Sequence, residues 1–173
     1  VQAIVKTAKE YDFDLQILNS VMKVNEEQKT ALVPFVKEYY NQDLKGKKFA
    51  MWGLAFKPDT DDIREAPSLY IIEELTKQGA TICAYDPEAM NNVQSLIGDK
   101  IHYAADPYET LEEADALIIC TEWSVFRTPD FSILESRLKS KTIFDGRNLY
   151  SVEKMKEMGF FYKSIGRATV NPK

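Results

Sequence analysis

Two cations bracket the most heavily charged turn of the sequence, Lys57 and Arg64 in MWGLAFKPDTDDIREAPS, residues 51–68. An ammonium and a guanidinium suit phosphate oxygens and sugar hydroxyls, the guanidinium through a planar fork of donors. Phe56 stands directly before the lysine. Asp59, Asp61, Asp62 and Glu65 share the turn. A plain loop ion pair is therefore the competing reading of Arg64, worth about 0 to 1 kcal/mol when exposed. Far along the chain, IFDGRNLY places Arg147 after another apolar run, and TEW places Glu122 and Trp123 after a third. Lys57 alone reads equally as a solvated turn residue, and Arg147 as the cap of a strand-end turn.

Nucleophilic chemistry has little to stand on. The two cysteines, Cys83 and Cys120, each sit inside an apolar run, and the only histidine is His102. No histidine lies in the segment of Cys120, so an activated thiolate is not expected there. Buried free thiols in a reducing, cytoplasmic setting fit better. No Cys/His spacing suggests a metal site.

The elements that must carry these residues are set by period. Residues 1 to about 44 are helical, with Val1, Ile4, Val5 and Ala8 in one stripe and Leu18, Val21, Met22, Leu32, Phe35, Val36 and Tyr39 in a longer one. Pro34 predicts a kink or a new helix start. The longer stripe either forms a subunit interface or docks on the domain after it. From Lys45 the pattern alternates. Strand-like runs occur in KKFAMWGLAF (Phe49 to Phe56), ATICAYDP, IHYA, DALIICTEW, KTIFDGR and FFYKSIG. Helical runs separate them, including DPYETLEEA with Asp106 as N-cap and Pro107 at the first position. Six strands alternating with helices predict an α/β fold: a Rossmann-like, doubly wound parallel sheet of about six strands, preceded by a helical segment.

In such sheets ligands lie beyond the carboxyl ends of the strands, where strand order reverses. An order of 3-2-1-4-5-6 brings the ends of the first, fourth and fifth strands together. Phe56-Lys57, Glu122-Trp123 and Arg147 would then line one crevice. The dinucleotide fingerprint G-x-G-x-x-G is absent after the first strand, and the aspartates of KPDTDD repel a pyrophosphate.

Bulk properties agree. The chain has 173 residues, 45% hydrophobic and 28% charged, and a net charge of −5. That balance suits a globular protein and disfavours nucleic acid or an anionic membrane surface as partner. No apolar run approaches the length of a membrane span. The chain opens at Val1 in a helix already under way, which suggests a piece of something longer.

Four stretches in order, GLAFKPDTDDIREAPS, GATICAYDP, ADALIICTEW and IFDGRNLY, resemble the UDP-glucose/GDP-mannose dehydrogenase family of nucleotide-sugar 6-dehydrogenases. VNEEQK and its helix resemble the family's long central helix, which joins two Rossmann-like domains and forms the dimer. The resemblance covers essentially the whole chain, with residues 1–44 as the helical dimerisation segment and 45–173 as the UDP-sugar-binding domain. It implies oxidation of the C6 hydroxyl of a nucleotide sugar to a carboxylate in two hydride transfers to NAD. The motifs lean towards UDP-glucose and UDP-glucuronate, over UDP-N-acetylmannosamine or GDP-mannose. A nucleophilic cysteine and the NAD-binding glycines are implied upstream of Val1, since neither Cys83 nor Cys120 matches, so the chain alone is expected to be inactive. By motif position, Phe56, Lys57 and Arg147 resemble substrate contacts, and Arg64 the arginine that reaches NAD. A stand-alone nucleotide-binding or dimerisation module is the alternative from another class.

Overall fold

The computed structural model describes residues 1–172, so the last residue of the expected second region lies outside it. Three helices open the chain: α1 (Gln2–Glu10), α2 (Gln16–Lys29) and α3 (Leu32–Tyr39). The break between α2 and α3 falls at Thr30-Ala31, and Pro34 occupies the first turn of α3. A proline there sacrifices no intrahelical bond, so the new start the sequence suggests is realised. The longer apolar stripe divides at this break. Leu32 and Val36 of α3 are buried in the main core with Phe35 and Tyr39 packed against it, whereas in α2 Val21 is exposed and Leu18 and Met22 are half-buried. In α1 only Val5 of the expected stripe is buried.

The remainder is the predicted alternation. It runs β1 (Lys48–Trp52), α4 (Pro67–Lys77), β2 (Thr81–Tyr85), α5 (Met90–Ile97) and β3 (His102–Tyr103), then β4 (Ala116–Ile119). It continues through α6 (Ser124–Arg127), α7 (Phe131–Arg137), β5 (Thr142–Asp145), α8 (Val152–Glu157) and β6 (Phe161–Ser164). All six strands are parallel, in the order β3-β2-β1-β4-β5-β6. β1, β4 and β5 are buried almost throughout, as expected for strands covered on both faces. Beside β6, one isolated antiparallel bridge joins Val170 to Tyr162.

Two local expectations need correction. DPYETLEEA forms only a 3₁₀ turn at Glu109–Leu111. Asp106 accepts the amides of Tyr108 and Glu109 at 2.8 and 3.1 Å and so holds the turn that leads into it. However, the Pro107 carbonyl is taken by the Trp52 indole at 2.9 Å and the Thr110 hydroxyl at 2.6 Å, which leaves no ladder to propagate. Strand β1 also ends early, at Trp52 rather than Phe56. Gly53 turns the chain at φ +93°, and a Cβ there would lie 2.5 Å from Cβ of Thr121. This is the point where the ends of β1 and β4 touch, and only glycine fits it. No helix among the described residues is long and apolar enough to cross a membrane.

Candidate functional site

Buried polar side chains collect at the carboxyl ends of the strands. Asp86 follows β2, Thr121 follows β4, Asp145 ends β5, and none has measurable exposure. Asp86 accepts five hydrogen bonds. One oxygen takes the amides of Leu54 and Ala55 at 2.7 and 3.0 Å and the Trp123 indole at 3.0 Å. The other takes the amides of Glu88 and Ala89 at 2.9 and 2.8 Å. A single carboxylate thus fixes the exit of β1, the start of α5 and the ring of Trp123. Asp145 does the same for the β5 exit, accepting the amides of Arg147 and Leu149 at 2.8 and 2.7 Å and the Tyr162 hydroxyl at 2.8 Å.

What these carboxylates position is a cavity of about 980 Å³ between the three opening helices and the sheet's carboxyl edge. Phe56, Glu122 and Arg147 line it, with Lys29 and Glu65 elsewhere in its wall. Phe56 is 47% exposed, an aromatic face open to solvent. Gly146 lets α3 close down on the strand end, since a Cβ there would come within 3.1 Å of Leu32. Arg147 is half-buried and donates through Nε to a Glu122 carboxylate oxygen. Burial pushes the Glu122 carboxyl up, but the bond and charge of Arg147 prevail and hold it below the usual carboxylate range. Among the described residues this is the only side-chain bond of the guanidinium.

The sequence-predicted residues therefore divide. Phe56 and Arg147, from distant segments, share one cavity. Lys57 is exposed on the loop and does not line it. Arg64 lies at a separate shallow depression with Asn92 and Leu96, its guanidinium paired to Asp62 at 2.7 Å. That bond holds the Asp62 carboxyl down at about 2. Cys120 reaches the cavity wall, but burial pushes its thiol up to about 12, so it stays protonated and a poor nucleophile. Among the described residues no cluster of His, Cys, Asp or Glu is placed to hold a metal ion. Sequence reasoning missed Asp86, Asp145 and Lys29 as organisers; a lone aspartate closing an apolar strand was the available signal for the first two.

An all-parallel sheet of this order, with an arginine and an open aromatic ring in a cavity at the switch point, defines a Rossmann-like ligand-binding domain. Comparison with known proteins narrows the class. The UDP binding domain of the UDP-glucose/GDP-mannose dehydrogenase family matches residues 50–152. The chain is 41% identical to UDP-glucose 6-dehydrogenase of Rhizobium meliloti (strain 1021), over 95% of this chain and 38% of that protein. It is 40% identical to UDP-glucose 6-dehydrogenase of Pseudomonas aeruginosa, over 96% of this chain and 38% of that protein. The solved UDP-glucose dehydrogenase of Pyrobaculum islandicum superposes with a TM-score of 0.80 at 28% identity, over 96% of this chain and 36% of that one. The chain belongs to the UDP-glucose/GDP-mannose dehydrogenase family, and it spans just over a third of the length of these relatives.

Proposed function

We propose that this chain supplies the UDP-sugar site of an NAD-dependent UDP-glucose 6-dehydrogenase. The reading is carried by one observation: Phe56 and Arg147, from the exits of β1 and β5, line a single cavity at the switch point of the sheet. The guanidinium fork suits a diphosphate, and the exposed ring suits the face of a sugar or base. Lys57 joins the ligand from the loop outside the cavity, and Arg64 turns from Asp62 towards NAD. The reaction takes the C6 hydroxymethyl group to the aldehyde and then, with water, to the carboxylate, each step giving one hydride to an NAD. The turn after β1, with its aspartates, does not fit the pyrophosphate of that cofactor, so Arg64 is its one contact proposed here. Neither cysteine of this chain has the surroundings of a thiolate nucleophile, and the chain alone is inactive in this reading. Free Cys83 and Cys120 fit a reducing, cytoplasmic setting.

Calorimetric titration of the chain with UDP tests the site. Saturable binding that a Phe56→Ala change weakens is the expected result; no binding up to millimolar UDP overturns the assignment. Among whole enzymes, preference for UDP-N-acetylmannosamine or GDP-mannose over UDP-glucose would overturn the choice of sugar. We also propose a homodimer through α2, where Ile17, Val21 and Val24 expose an apolar stripe at helical spacing. Sedimentation at tens of micromolar is expected to give a dimer that Val21→Glu converts to monomer. A monomeric parent chain would remove this proposal.

A further inference from the structure

The last residue of α2 is a lysine with its charge inside the protein. Lys29 is only 9% exposed. Its ammonium donates to Glu26 of the same helix at 2.6 Å, to Glu65 in the loop between β1 and α4, and to the Tyr70 hydroxyl of α4 at 3.2 Å. Three donors thus meet three acceptors. The Tyr70 ring also lies beneath the charge, 4.6 Å from its centroid. Flanked by two carboxylates, the ammonium has no charge to spare for a ligand, although Lys29 and Glu65 both border the cavity.

The loop it grips is strained at both shoulders. Asp59 and Glu65, neither a glycine, hold φ +62° and +59°. Such residues persist where their surroundings over-determine them. The loop closes on itself through the Phe56 amide, which donates to the Asp62 carbonyl at 2.9 Å, and the Ala66 amide donates to the Ile63 carbonyl at 3.1 Å. Phe56, at the near end of that closure, forms part of the cavity wall. With its lysine covered and its carboxylates half-exposed, such an ion pair is a modest source of net stability but can specify one geometry.

We propose that Lys29 is a positioning residue: it latches the Phe56–Ala66 loop onto α2 through Glu65, and so sets the cavity wall that Phe56 presents. The part concerning ligand rests on the UDP-sugar reading above; the latch itself does not. Amide hydrogen exchange and UDP titration on Lys29→Met, Glu65→Gln, the double variant and Lys29→Arg test it. Each single change is expected to speed exchange at Phe56 and Ala66 about tenfold, while the amides of β1 keep their protection. UDP affinity should fall about fivefold in both, the double variant should add little to either, and Lys29→Arg should restore most of the loss. Glu65 is half-exposed, so Glu65→Gln decides the matter if Lys29→Met does not fold. Unchanged exchange at Phe56 and Ala66, a uniform rise across the whole domain, or additive single effects would each overturn the latch. A parent chain that ignores UDP but shows the local exchange effects would sink the ligand reading and leave the latch standing.

Discussion

Asp86→Ala is expected to cost at least about 4 kcal/mol of folding stability, because up to five buried donors lose their acceptor together. Each orphaned donor carries a penalty of roughly 1–3 kcal/mol, and local relaxation recovers only part of the sum. Among the described residues the donors to this carboxylate are backbone amides and an indole, with no lysine or arginine. Asparagine is no rescue. Both carboxylate oxygens accept at least two N–H groups, so an amide nitrogen on either side must face donors. Asp86→Asn should therefore lose roughly 2–3 kcal/mol despite matching the shape. Urea unfolding checks both, as a fall in midpoint at constant slope. A loss below about 1 kcal/mol for the alanine variant would show that the β1 exit is held by something else.

That carboxylate also marks where the sequence stops being readable. Alternation of strand and helix suffices for the parallel sheet, because the centres of β1, β4 and β5 are apolar and have to be covered on both faces. Right-handed crossovers combined with the doubly wound order of six strands supply the crevice that collects Phe56 and Arg147. Burial of Asp86 is another matter. It depends on five donors from three segments arriving at one point, and the lone aspartate of YDP hints at a role without naming those donors. Lys29 is hidden likewise: it reads as one more polar residue at the end of α2, and the arrival of Glu65 and Tyr70 is what covers it. The run Phe49 to Phe56 reads as one strand because its composition does not change at Gly53. The contact with Thr121 that forces the turn is long-range. At DPYETLEEA Asp106 does hold the local turn, but a distant indole claims the carbonyl the helix needs.

The same distinction between backbone and side chain makes Arg147 the sharpest probe of the site. Its amide is held by Asp145, whereas its guanidinium reaches Glu122. Removing the side chain should therefore leave the β5 turn intact, and Arg147→Ala is expected to fold normally. It should nonetheless raise the Kd for UDP roughly tenfold to 100-fold, the cost of losing hydrogen bonds to a charged group of about 1.5–3 kcal/mol. Arg147→Lys keeps the charge but not the fork, and should fall between the two. In an intact enzyme the same loss should appear mainly in KM, because a diphosphate remote from C6 is bound alike in ground and transition states. Glu122→Gln sharpens the argument. The glutamine can still accept from Nε but leaves the guanidinium charge uncompensated, so phosphate affinity should hold or rise while the pose of the fork is kept. Unaltered UDP binding in Arg147→Ala would take the diphosphate out of this cavity, and the convergence of the β1 and β5 exits would then serve packing alone.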